Sequence, residues 1–177
     1  MKRYTGWILC LLVVPFGCSP PVPTSSPKAR MTGATVGALA PELEGTSTSG
    51  QPLKLSDYRG KVVLLDFWAT WCGPCVALIP HEKELVERMK GRPFVFIGVS
   101  ADRDRDDLQE FLAKNNLPWP NIFDEGQKLG QAWRVEFLPT IFLIDADGVI
   151  RHKFIGATKE LDAAVERLVT QAESRTK

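Results

Sequence analysis

Apolar residues along this chain fall into short unbroken runs, and these alternate with segments whose apolar positions recur at helical spacing. The densest run is Val62-Val63-Leu64-Leu65-Asp66-Phe67-Trp68, which predicts a strand buried on both faces. It stops at Trp71-Cys72-Gly73-Pro74-Cys75, where Gly and Pro break the strand. Beyond Pro74 the apolar positions Val76, Ile79, Leu85, Val86 and Met89 predict a helix. Pro80 falls inside it and predicts a kink, and Gly91 predicts its C-cap. Phe94 to Ser100 predicts a second buried strand, and Leu108, Phe111 and Leu112 mark a helix ended by Asn115-Asn116. A short strand over Asn121 to Asp124 and a short helix over Gln127 to Trp133 follow. Thr140 to Ile144, the turn Asp145 to Gly148 and the run Val149 to Ile155 predict a hairpin. The last helix, from about Thr158, would bury Leu161, Val165, Leu168 and Val169. Ahead of the main strand, Leu43 opens a short strand, Ser49-Gly50 turns the chain, and Leu53 to Leu55 returns as a partner. Ser56 to Gly60 predicts a single helical turn. Together these elements predict an α/β sandwich built on a mixed sheet.

The N-terminal segment follows a different grammar. Met1-Lys2-Arg3 is a basic head, Gly6 to Val14 is an apolar run too short to span a membrane, and Pro15-Phe16-Gly17-Cys18 follows. Residues 1–17 are therefore expected to be a signal peptide. Gly17 directly before Cys18 resembles the lipobox of bacterial lipoproteins, which would make Cys18 the lipidated residue; Pro15 and Phe16 depart from the usual Leu and small residue there. Plain secretion and an uncleaved anchor are the alternatives. Residues 18–35 are rich in Pro and Ser and predict a disordered tether, leaving 36–177 as one folded domain.

Composition narrows the function. The 177 residues carry a formal net charge of +1 and no basic run, which argues against a nucleic-acid partner. Of the four cysteines, Cys10 lies in the signal's apolar run and Cys18 at its end, so the folded domain holds only Cys72 and Cys75. A bond between them would close too small a loop to act as a staple, which points to redox use. At the start of a helix a thiolate is stabilised by unpaired N–H groups and the dipole, and its reactivity rises. The acidic stretch Asp102 to Asp107 reads as the solvated first turn of a helix; a metal site is the sharper alternative, opposed by the interleaved Arg103 and Arg105. A closed zinc site needs about four ligands, and the only histidines are His81, which reads as exposed on the helix after Pro80, and His152, which falls in the final hairpin with no sign of reaching the cysteines.

The combination Phe67-Trp68-Ala69-x-Trp71-Cys72-Gly73-Pro74-Cys75, then Pro80, then Leu138-Pro139-Thr140, resembles the thioredoxin-like thiol–disulfide oxidoreductases. The lead-in Gly60 to Val63 and the segment Leu143 to Gly148 are similar to its exported, membrane-tethered TlpA/ResA branch. The resemblance implies a thioredoxin-like α/β fold, a central mixed sheet flanked by helices, with an N-terminal β-hairpin extension. It implies that Cys72 is the exposed nucleophile, that Cys75 resolves the mixed disulfide, and that Asp66 is a buried acid moving the Cys75 proton. The alternative for Asp66 is a polar residue facing solvent. Pro139 would be a cis-proline beside the cysteines, with a trans-proline opening a strand as the alternative. Leu138, Trp71, Gly73 and Pro74 would contact an extended substrate segment; Trp68 would either shape that surface or fill the core. The family's cytochrome-maturing members carry a Glu three residues after the second Cys, and Leu78 stands there instead, which sets that role in doubt. Gly73-Pro74 leans towards a reductant.

The expected function is thus extracytoplasmic reduction of disulfides in exported proteins, recharged by a membrane thiol donor. The protein would sit on the periplasmic side, held by a lipid anchor, or secreted as the alternative. No cofactor beyond the redox-active disulfide and no metal is expected. Two rivals remain. A thiol peroxidase on the same fold would need Pro and Thr where Leu65 and Ala69 stand, and a Cu(I)-binding module would use the same two thiols.

Overall fold

The structure, a computed structural model, describes Met1, residues 34–156 and residues 158–175. The expected signal peptide beyond Met1, the lipidation candidate Cys18 and the tether up to residue 33 lie outside the described residues.

Strands form where β-branched and aromatic residues run together. The first two, β1 (Glu44–Thr46) and β2 (Pro52–Lys54), make an antiparallel hairpin, and a 3-10 turn over Leu55–Tyr58 follows. β3 (Val62–Trp68) is buried along its whole length. The helix α1 (Gly73–Arg88) leads to β4 (Phe94–Ser100), α2 (Arg105–Asn115) to β5 (Asn121–Phe123), and α3 (Lys128–Ala132) to β6 (Thr140–Ile144). β7 (Ile150–Ile155) and α4 (Leu161–Arg175) complete the chain. The main sheet has the order β5-β4-β3-β6-β7. β3, β4 and β5 run parallel, while β6 is antiparallel to both β3 and β7, so the sheet is mixed.

Because successive strand residues point to opposite faces, β3 feeds two cores. Val62, Leu64 and Trp68 join Cys75, Ile79 and Leu85 of α1 and the inner face of α4. Val63, Leu65 and Phe67 face the hairpin side, where Trp133 and Phe142 close an aromatic cluster with Phe67.

Several boundaries differ from the sequence reading. α1 runs unbroken through Pro80, its C-cap is Met89, and Gly91 supplies a positive φ two residues later in the turn to β4. α4 begins at Leu161; Thr158 Oγ1 accepts from the Glu160 N–H just ahead of it. Asp102 is buried and precedes α2, whose N-cap is Asp104; only Asp106 and Asp107 occupy its first turn. Among the described residues, no three acidic, His or Cys side chains cluster as metal ligands would. Ala34 is buried against the hairpin-side core.

Candidate active site

The site forms where β3 ends and α1 begins. Gly73 and Pro74 open the helix with Cys72 as its N-cap, in an extended conformation. Proline is suited to a first turn, where its missing N–H removes no helical bond. Cys72 and Cys75 are joined by a disulfide, S–S 2.05 Å with Cα atoms 5.3 Å apart. The Cys75 N–H donates to Cys72 Sγ at 3.3 Å, so one otherwise unpaired amide already serves that sulfur.

Neither sulfur residue is open to solvent. Cys72 is 6% exposed and Cys75 2%, which corrects the expectation of an exposed nucleophile. In the closed disulfide each sulfur occupies part of the other's surroundings, and the amide of Cys75 covers Cys72 further. The order of access still favours Cys72. Trp71 beside it is 64% exposed. Trp71, Phe67 and Leu138 line a groove of about 200 Å³, with Phe137 at 62% exposure on the same lip. The Leu138–Pro139 peptide bond is cis, Pro139 is buried, and Leu138 is half-buried. Thr140 Oγ1 donates to the Phe137 carbonyl at 2.7 Å, and the Gly156 N–H donates to the Pro139 carbonyl at 2.9 Å; these fix the loop on both sides. Gly73 and Pro74 are exposed.

Trp68 does not shape this surface. Its ring packs on Phe111, and its indole N–H donates to Asn121 Oδ1 at 3.1 Å. Leu78 is half-buried and lines a separate groove between α1 and the start of α4, with Ile141 and Leu161. His81 is half-buried and turned to Asp162 at 2.8 Å, and His152 stacks on Phe154; neither ring joins the cysteines.

Asp66 is 4% exposed, so it does not face solvent. By strand alternation it shares the α1 face with Leu64 and Trp68. Burial first, and the nearby Glu82 second, raise its carboxyl well above the usual carboxylate range.

Two residues that support the site were not assigned to it from the sequence, where Asp102 reads as part of a solvated helix turn and Glu82 is not singled out. Asp102 accepts from the Thr70 N–H at 3.1 Å and the Thr70 hydroxyl at 2.7 Å, and from the Ser100 hydroxyl at 2.6 Å. It thereby pins the turn that carries Trp71 and Cys72. Glu82 lies on the inner face of α1, 2% exposed. Its signal was present: Cys75, Ile79, Glu82 and Val86 follow the helical period, which puts a carboxyl in the apolar stripe.

Comparison with known proteins agrees with this geometry. The Redoxin family model matches residues 35–169. The thiol-disulfide oxidoreductase ResA of a Bacillus cereus strain is 37% identical over 126 residues, 71% of this chain and 73% of its own. A crystal structure from Chlorobium tepidum, described as a thiol:disulfide interchange protein DsbE, superposes with a TM-score of 0.67 at 32% identity, covering 75% of this chain and 94% of that one. The thioredoxin domain of a Bacteroides vulgatus thiol-disulfide oxidoreductase gives 0.70 at 28% identity, over 76% and 98%. The chain belongs to the Redoxin family, as a thioredoxin-like thiol–disulfide oxidoreductase of the ResA/TlpA type.

Proposed function

We propose that this oxidoreductase works outside the cytoplasm and reduces disulfides in exported proteins. The observation that carries the chemistry is the Cys72–Cys75 pair at the first turn of α1, beside the Trp71–Leu138 groove. In the reduced protein, the Cys72 thiolate attacks one sulfur of a substrate disulfide. A mixed disulfide forms and the first substrate thiolate leaves. Cys75 gives its proton to Asp66 and attacks Cys72 Sγ; the mixed disulfide breaks and the second substrate thiolate leaves. Two electrons pass to the substrate, whose thiolates take up two protons, one from Cys75 through Asp66 and one from solvent. Trp71, Gly73, Pro74 and the Leu138 backbone beside Pro139 would hold the substrate segment as an added strand, which needs little sequence specificity.

Export rests on the sequence of residues 1–17, and a lipid anchor rests on Cys18. Among the described residues no helix is long and apolar enough to cross a membrane. A reductant in oxidising surroundings needs recharging, and a membrane thiol donor would supply the electrons.

Two measurements test this. Cys75→Ser in the reduced protein should stop after the first step and accumulate a mixed disulfide at Cys72, seen by mass under non-reducing conditions; absence of any adduct would refute the assignment of Cys72. Equilibration with glutathione should give a potential near about −270 mV, the level of a reductant. A value near about −120 mV would make the protein an oxidant instead.

A further inference from the structure

Glu82 plays no part in the scheme above, yet it occupies a costly position. It follows Cys75 by seven residues, two helical turns, and so leaves α1 on the same face. Cys75, Ile79, Glu82 and Leu85 are the buried positions of that helix. A carboxyl there displaces an apolar side chain and loses hydration.

Among the described residues, the layer it enters offers no cation. In the sheet, Asp66 has Gly98 on one side and Ile141 on the other. β4 turns Phe96, Gly98 and Ser100 to this face; β6 contributes Ile141 and Leu143, and α4 contributes apolar residues such as Leu161 and Val165. The neighbouring positive groups of α1 are engaged elsewhere: His81 and Arg88 with Asp162, and Lys83 with the Asn115 carbonyl. Besides Cys75, the titratable groups of the layer are Asp66 and Glu82, with Asp102 at its edge already accepting from the Ser100 and Thr70 hydroxyls. One oxygen of each, Asp66 Oδ1 and Glu82 Oε1, is buried without a hydrogen-bond partner. Two carboxyls that share a dry layer resist ionising together.

We propose that Glu82 is a positioning acid of the dithiol centre, sharing one proton with Asp66 so that the pair can both accept a proton from Cys75 and return one. This rests on the roles given above to Cys75 and Asp66. When Cys75 resolves the mixed disulfide, its proton goes to the carboxylate of the pair. Cys75 Sγ bonds to Cys72 Sγ, the bond from Cys72 to the substrate breaks, and the substrate thiolate leaves with the electron pair. The pair, now carrying two protons, releases one to solvent. When a dithiol donor recharges the protein, the same pair supplies the proton that Cys75 takes up. Burial raises Glu82 as it raises Asp66, which favours a proton held by the pair.

The test uses the reduced full-length protein and an aromatic disulfide probe, 5,5′-dithiobis(2-nitrobenzoate), followed by stopped flow. The first thiolate released reports attack by Cys72, and the second reports resolution by Cys75. In Glu82→Leu the first phase should be unchanged. The acid limb of the second-phase pH profile should move down by about one pH unit, because Asp66 loses a like-charged neighbour. A second-phase profile that superimposes on the unaltered protein overturns the proposal while leaving the oxidoreductase reading intact. Loss of the first phase in the unaltered protein would instead sink that reading. Carboxyl carbon NMR of the unaltered protein gives an answer that depends on no variant. Asp66 and Glu82 should titrate with shared two-step curves, and two independent single-step curves would overturn the pairing.

Discussion

A carboxylate that accepts several hydrogen bonds can hold a backbone turn in place, and Asp102 does so for the turn between β3 and α1. Replacing it by Ala strands the Thr70 amide and the Ser100 hydroxyl. Asp102→Ala should cost about 1–3 kcal/mol in urea unfolding and slow disulfide exchange through misplacement of Trp71 and Cys72. Unchanged stability would show that the latch is idle. Asp66 and Glu82 carry the opposite signature. Burial raises Glu82 from its ordinary 4.5 to about 8, and Asp66 rises with it. Such groups bind protons in the folded state that the unfolded chain has released, so stability is greatest below about pH 4.5 and falls as pH climbs towards about 8. The fall should be on the order of a few kcal/mol, at about 1.4 kcal/mol for each tenfold gain in proton affinity on folding. Glu82→Leu should flatten that slope and raise stability at pH 8, read from unfolding midpoints across pH; an unchanged slope would show that Glu82 is ionised in the fold. Cys72, Cys75, Asp66 and Pro139 stood out in the sequence because each belongs to a local motif. Asp102 and Glu82 did not, because their meaning comes from partners far along the chain: Thr70 for one, Asp66 for the other.

At the level of elements, strands were legible and ends were not. Val62 to Trp68, Phe94 to Ser100 and Thr140 to Ile144 announce themselves by unbroken apolar runs that two-sided burial requires. The end of α1 at Met89 and the start of α4 at Leu161 depend on local hydrogen bonds that composition does not encode. Asp124 was read only as the tail of β5, yet its carboxylate accepts from the Leu129 and Gly130 N–H groups at 2.9 and 2.8 Å and holds α3 under the groove. The contact of β4 with β5 is tight at Gly98. A Cβ there would lie 2.1 Å from Asn121 Oδ1 and 3.0 Å from Trp68 Nε1. Gly98→Ala should therefore break the Trp68–Asn121 hydrogen bond and destabilise the fold by about 1–3 kcal/mol, with a changed tryptophan emission spectrum. A variant with native emission and stability would show that Asn121 can yield.

The whole molecule is three layers, with α1, α2 and α4 on one side of the sheet and the hairpin, Trp133 and the segment from Ala34 on the other. That segment is more than a lead-in. The Gly37 and Ala40 N–H groups donate to the carbonyls of Ile150 and Gly148, and the Ile150 N–H donates to the Ala38 carbonyl. A chain beginning at Pro41 should be less stable than one beginning at Ala34 by about 2–4 kcal/mol, from lost burial and hydrogen bonds together. Equal urea midpoints would make the segment a passenger. The same wrapping changes how the sheet meets other chains. Ser47 bridges Ile122, the Thr48 N–H donates to the Asn121 carbonyl, and Gly45 lies against Ile122, so the β5 edge is covered. At the opposite edge, the run from Ala34 covers the start of β7, and Arg151 and Lys153 place positive charge along the rest. An exposed strand edge is an invitation to runaway polymerisation with any other chain that offers a free strand. With one border covered and the other partly covered and charged, the sheet offers little free edge to such recruitment.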